Sequence, residues 1–274
     1  MAIRTKKQKS KTSAIKSVLY PLIFGVIIII LWQTQVLHKL LNTDTLILPL
    51  PTRILEIIKD NFSVIWENTS DTLIVVIPGL IIGSIIGYLL AVFATHFPRF
   101  GTTGLTIIAA ISAVPTVALA AVMLQWTRDV SPEVSVRSYV MKTIIVTIVS
   151  TASMTLNAYR GLTELKPFSL DLMKSYAASK TTILFKLRAQ NSIPYIFTSL
   201  KVSVPASIIA ALVSEYFAEE ITGVGRQIRE NILKAQYSTA WSYIAVACII
   251  GIVMFGLVML AESILMRNRK GESH

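Results

Sequence analysis

The chain alternates between long apolar runs and short polar, charged segments. Six runs, near 17–37, 72–95, 104–126, 139–160, 193–217 and 240–265, are nearly free of charge. Each is about long enough to cross a hydrocarbon core at 1.5 Å per helical residue. An open strand in lipid would leave its backbone unpaired, so all six are expected to be helices. One polar segment carries a different pattern. In "LPLPTRILEIIKDNFSVIWENTSD" the apolar positions Ile54, Leu55, Ile58, Phe62, Ile65 and Trp66 recur at helical spacing, after Pro51 and Thr52. That predicts a short amphipathic helix lying on the membrane surface.

Charge orients the spans. The N-terminal tail holds Arg4, Lys6, Lys7, Lys9, Lys11 and Lys16 and no acid. The segment 160–192 holds Arg160, Lys166, Lys174, Lys180, Lys186 and Arg188 against Glu164 and Asp171, and Arg267, Arg269 and Lys270 close the chain. With six spans these three regions fall on one side. Segments 38–71, 127–138 and 218–239, where acids match or exceed bases, fall on the other. The positive-inside rule puts both termini and the 160–192 insert in the cytoplasm. Only 15% of residues are charged and 53% are hydrophobic, whereas a soluble domain carries about 25% charged residues. The net charge of +11 is therefore read as membrane topology rather than as a nucleic-acid surface. The run from Val18 to Leu37 is not followed by a small-x-small cleavage site, so a retained first span is expected rather than a cleaved signal.

Within the spans, Gly79, Gly83, Gly87 and Ala91 recur every four residues and share one helix face. Small residues there suit close helix packing. Lys142, Lys201, Glu215 and Glu262 lie near span ends, where they are expected to snorkel. A proton relay would need an acid or histidine at mid-membrane, and the spans hold almost no ionisable residue there. Gln33, Gln35, Ser84, Ser112, Gln125, Ser150, Ser153, Asn157, Ser203 and Ser207 are polar and uncharged. Most are expected to hydrogen-bond between helices, while Gln125, Ser153, Ser203 and Ser207 are candidates to line a route for a small polar solute. Pro78, Pro115 and Pro205 are expected to kink their spans. Trp32, Trp126 and Trp241 sit near span ends, as an interfacial belt would have them. The single Cys248 is expected to be buried and inert. His38, His96 and His274 are too far apart for a metal site.

No G-x-x-x-x-G-K-[ST], H-E-x-x-H or G-x-S-x-G occurs, so no cofactor or catalytic site is expected. The cluster "GVGRQI" reads as a turn on the outer side. If ATP drives transport, the ATPase is a separate chain. A stand-alone secondary carrier or channel is the alternative, and it would favour internal repeats and intramembrane charges. A membrane-embedded enzyme would need a polar catalytic cluster.

The chain resembles the integral membrane subunit of bacterial type I ABC importers, the binding-protein-dependent permeases. It is most similar to the group that takes up nitrate, sulfonates, taurine or thiamine-precursor-like solutes. The likeness lies in "ILPLPTRILEII", the glycine-laddered second span, "ISAVPTVALAAVMLQW", "LNAYRGL" and "AEEITGVGRQI". The family marks its cytoplasmic loop with E-A-A, a glycine four residues on, and a later I-x-L-P. Aligned on "IPYIFTSLKVS", Asp171-Leu172-Met173 stand at E-A-A and Ala177 at the glycine. Leu187, Ala189 and Gln190 stand at I, L and P.

The resemblance implies an all-α polytopic membrane protein of MetI-like fold in the bacterial inner membrane, with six transmembrane helices and cytoplasmic termini. It divides the chain into a basic tail (1–16), a first helix with an outer amphipathic segment (17–71), a permease core of five helices (72–265) with the coupling loop 160–192, and a second tail (266–274). It implies that Asp171, Leu172, Met173, Lys174, Ala177, Ala178, Ser179 and Lys180 belong to a coupling helix that meets the ATPase. The small alanines would allow close approach, with lysines at the rim. It implies three kinds of protein partner: ATPase subunits, a second permease chain, and an extracytoplasmic solute-binding protein touching Gly223, Gly225 and Arg226.

Overall fold

The computed structural model describes residues 19–267, so the N-terminal tail and residues 268–274 lie outside the described residues. Among the described residues the regular structure is helical: α1 Leu19–Gln33, α2 Val36–Leu41, α3 Pro51–Asp60, α4 Phe62–His96, α5 Pro98–Ser112, α6 Thr116–Trp126, α7 Val134–Thr163, α8 Ser169–Ser175, α9 Lys180–Ile183, α10 Ala189–Phe217, α11 Val224–Leu233 and α12 Tyr237–Leu265. A π-helical turn, Leu184–Arg188, joins α9 to α10. Four helices are long and apolar enough to cross a membrane: α4, Lys180–Phe217, α7 and α12. A fifth crossing exists if α5 and α6 count as one broken span.

Three expectations change here. The run 104–126 is two helices that bend by 94°. Pro115 donates no backbone hydrogen bond and biases Val114 away from helix, so α5 stops and α6 restarts behind the proline. Pro78 and Pro205, by contrast, sit inside continuous helices. The run 17–37 is interrupted after α1, where Gln35 takes a left-handed backbone (φ 61°). The second long span starts at Phe62 rather than at 72, and its 35 residues extend about 52 Å, well past the hydrocarbon core.

The chain divides into two compact units. The described part of the first comprises residues 19–62 and 231–242. Its α3 begins with Pro51 in the first helical turn, where a missing N–H costs nothing. The Gln33 side chain brackets that start, donating to Thr52 Oγ1 (3.2 Å) and accepting from the Thr52 N–H (3.3 Å). The buried stripe of α3 is Ile54 and Ile57, whereas Leu55 is exposed. Of the expected stripe 54, 55, 58, Ile54 is buried and Ile58 half-buried, while Ile57 takes the place expected of Leu55; Phe62, Ile65 and Trp66 belong to α4. Trp32 and Trp241 stack edge to face at 5.6 Å, and the Trp241 indole donates to Ile47 O (2.9 Å). Buried His38 meets Leu48 O at 2.6 Å through Nε2.

The second unit, 63–230 and 243–267 of the described residues, holds the long helices. At its centre α10 lies along α7. In both, 44% of the most apolar window is buried, against 33% in α4 and 11% in α12. The two central helices therefore bury the largest share of their apolar windows, and α12 turns most of its surface outward. Cys248 lies on that outward surface and is exposed, not buried.

Candidate functional site

The α4–α7 seam is built by the glycine ladder. A Cβ on Gly79 would stand 2.7 Å from Val146 Cβ, one on Gly83 2.5 Å from Thr147 O, and one on Gly87 2.6 Å from Thr151 O. Each distance is below any ordinary contact, so these positions admit only hydrogen at this helix separation. Ala91, the fourth member, is fully buried in a cluster with Met154, Ala158 and Leu162.

Serines build the α7–α10 seam. Ser150 and Ser207 share a buried 2.8 Å hydrogen bond, and Ser153 and Ser199 one of 3.3 Å. Ser203 is buried between those levels, its hydroxyl unpartnered among the described residues. Three candidate pathway residues, Ser153, Ser203 and Ser207, thus lie in a packed seam. Among the four candidates only Gln125, on α6, is exposed. A cavity of about 270 Å³ opens instead at the α5–α6 elbow, with Ser112 and Thr116 on one wall and Ile148, Ala152, Ala206 and Ile209 opposite.

The segment after α10 is anchored by buried polar groups, among them Glu215, which the sequence pattern places as a span-end charge. The N–H groups of Gly223, Val224 and Gly225 open α11. They donate to Asn68 Oδ1 (3.1 Å), Thr72 Oγ1 (3.0 Å) and Glu215 Oε2 (2.7 Å). A helix N-terminus offers such unpaired donors, and a carboxylate there also meets the positive end of the dipole. Glu215 is fully buried and Lys142 nearly so. Neither snorkels: Lys142 pairs with Glu220 at 3.5 Å. Lys201 and Glu262 pair at 2.6 Å between α10 and α12. Outside the spans, Arg137 binds Glu219 at 2.8 Å and holds its carboxyl below the usual carboxylate range.

Gly223 and Gly225 are buried within this cluster. A side chain on Gly223 would collide with Glu215, and one on Gly225 with Leu212 O. Neither presents a surface to an outside protein, which corrects the expectation of binding-protein contact. Arg226 is likewise engaged, donating to Ala218 O (3.1 Å) and pairing with Glu230 (3.0 Å). Asn68, Thr72 and the role of Glu215 were missed. Their sequence signal is faint: polar residues at the apolar boundary of a span, and an acid eight residues before Gly223.

The expected coupling residues do not form one helix. Asp171, Leu172, Met173 and Lys174 lie on α8, while Ala177 and Ala178 lie in the turn that ends it. The Ala178 N–H reaches Met173 O (3.0 Å) and the Ala177 N–H reaches Lys174 O (2.9 Å). This is a Schellman closure with Ala177 left-handed at φ 51°. Ser179 then caps α9 by accepting from the Thr182 N–H (3.1 Å), and Lys180 is its first residue. The alanines therefore set the turn rather than a close-packing helix face. Leu172 on α8 and the residues that cap its two ends, Phe168 and Tyr176, are apolar and 59%, 83% and 79% exposed.

Both ends of this excursion are tied together. Arg188 donates to Leu162 O (3.0 Å), and Asn191 donates to Gly161 O (2.8 Å) and Glu164 O (2.9 Å). These bonds satisfy carbonyls at the C-terminus of α7 that have no intrahelical partner. The Tyr195 hydroxyl binds Glu164 Oε2 (3.0 Å), and Gly161 sits against the Ser192 backbone.

Residues 75–268 match the family model described as binding-protein-dependent transport system inner membrane component. The formylaminopyrimidine transport permease protein ThiX of Halalkalibacterium halodurans is 24% identical over 253 residues, covering 92% of this chain and 96% of that protein. A probable ABC transporter permease protein of Haemophilus influenzae is 24% identical over 198 residues, 72% of this chain and 77% of its own length. Among solved structures, the MetNI methionine ABC transporter in inward-facing conformations superposes with a TM-score of 0.55. It does so at 14% identity over 75% of this chain and 94% of that one.

Proposed function

Because the chain belongs to the family of binding-protein-dependent transport system inner membrane components, we propose that α8 is the handle by which an ATPase moves its membrane helices. The chain is the permease subunit of an ATP-binding cassette importer, a multi-pass membrane protein, and hydrolysis of ATP belongs to a separate chain. The observation that carries the coupling role is the exposed stripe Phe168, Leu172 and Tyr176. It stands on a hairpin whose two ends are hydrogen-bonded to each other. Lone exposed apolar side chains are ordinary, but three within nine residues, one on α8 and one at each of its caps, suit a protein groove.

In this reading both termini and α8 are cytoplasmic, as the Lys and Arg distribution supports. A second permease chain completes the solute route, with Ser112 and Thr116 at the elbow facing it. An extracytoplasmic binding protein delivers a small polar solute, and ATPase closure rocks α7 and α10 through α8. The name of the ThiX relative makes a formylaminopyrimidine the first solute to try. Reconstitution tests this: vesicles holding the chain with its ATPase and binding protein take up solute only with ATP. Equal uptake by vesicles holding this chain alone would establish a carrier or channel instead.

A further inference from the structure

Beside α8, on the membrane face that carries the chain's basic segments, lies a cavity of about 270 Å³. Four cationic or ring-nitrogen side chains converge on it from four elements. They are His96 at the end of α4, Lys174 on α8, Lys180 at the start of α9, and Arg188 in the π-helical turn. Ile183 and Leu184 supply apolar lining. Among the described residues no carboxylate lines the cavity, and neither lysine takes part in an ion pair. One of the five N–H donors of Arg188 is held by Leu162 O, which fixes the guanidinium at the wall.

A helix N-terminus adjoins the cavity. Lys180 to Phe217 runs as one 38-residue helical stretch, and its first residue lines the cavity. Ser179 accepts from the Thr182 N–H, so the earlier amide donors of that turn are not used by the cap. Converging cations without a counter-charge repel one another at short range, which makes the cavity favourable for an anion. A guanidinium fork, two ammonium groups and an imidazole match a tetrahedral oxyanion with several acceptor oxygens. Basic pockets between membrane helices on the cytoplasmic side take phospholipid headgroups in the same way.

We propose that this cavity binds a phosphate group, carried on an anionic lipid headgroup or free in solution. The site shares Lys174 and Lys180 with the segment proposed to meet the ATPase, whose presence would mask it. The full-length chain, purified in detergent without its ATPase, is therefore the material to test. Native mass spectrometry measures binding of dioleoylphosphatidylglycerol and dioleoylphosphatidylcholine. Thermal shift compares inorganic phosphate with chloride at matched ionic strength. Phosphatidylglycerol, inorganic phosphate or both bind, and phosphatidylcholine binds more weakly. Binding to phosphatidylglycerol alone assigns a lipid site; binding to phosphate alone assigns a soluble anion. The exposed double variant Lys174→Gln/Lys180→Gln, which leaves the Arg188–Leu162 bond in place, binds at least roughly tenfold more weakly. The proposal fails if neither probe binds, if the double variant binds as tightly as the parent chain, or if phosphatidylcholine matches phosphatidylglycerol.

Discussion

At position 177 an alanine holds a left-handed backbone, φ 51°, that a Cβ makes unfavourable by about 1–2 kcal/mol. Ala235 does the same after α11, with its N–H on Ile232 O and the next N–H on Asn231 O. Replacing Ala177 by glycine removes that cost at the Schellman position. Ala177→Gly is expected to raise hydrogen-exchange protection of the α8 amides by about fivefold, or about 1 kcal/mol of local stability. Unchanged protection would show that the turn is held by something other than local backbone preference. The sequence alignment marked 177 as a place where the family has glycine, but only the backbone shows why. The Arg137–Glu219 pair offers a pH test at the same scale. The Glu219 carboxyl is held below its ordinary value of about 4.5 by the Arg137 hydrogen bond. Its small contribution is therefore present above that value and is lost as pH falls through the lowered one. Parent and Glu219→Gln melting curves in detergent should differ at neutral pH and converge in acid; a gap that widens in acid would reverse the assignment.

Among elements, the glycine ladder and the buried carboxylate carry the sharpest expectations. Gly83→Ala forces a methyl against Thr147 O and Ser150 Cβ and should destabilise the chain by roughly 1–3 kcal/mol. Gly104→Ala, where a Cβ meets nothing within 4 Å, should be neutral or slightly stabilising. The two thermal midpoints in detergent, measured side by side, check this. Glu215→Ala leaves the Gly225 N–H without its acceptor and should cost roughly 1–3 kcal/mol. That cost would be read as earlier exchange of the α11 amides; exchange at the parent rate would show α11 to be held elsewhere. Ladder spacing was readable from sequence because small residues every fourth position declare one face. The Glu215 anchor was not readable, because a lone acid near a span end looks the same whether it snorkels or caps a neighbouring helix. The amphipathic segment was read as one helix because apolar residues continue across the helix break at Asn61 into α4.

Across the whole molecule, hydropathy identified an all-helical membrane chain and located the long crossings. It could not see the 94° elbow, since a broken and a straight span have the same composition. Nor could it tell seam serines from pathway serines, because Ser207 reads alike whether it faces Ser150 or a solute. What unites the parts is the arrangement of α7 and α10, packed along their length and joined at one end by the tied hairpin that carries α8. The central claim is that α8 links the permease to its ATPase, and one substitution tests it most directly. Leu172, 59% exposed, is replaced by Glu, and the amount of ATPase subunit that co-purifies with the full-length chain is measured beside the thermal midpoint of the chain alone. The account predicts that the midpoint is unchanged while ATPase recovery falls at least tenfold; full recovery of the ATPase with Leu172→Glu would contradict it.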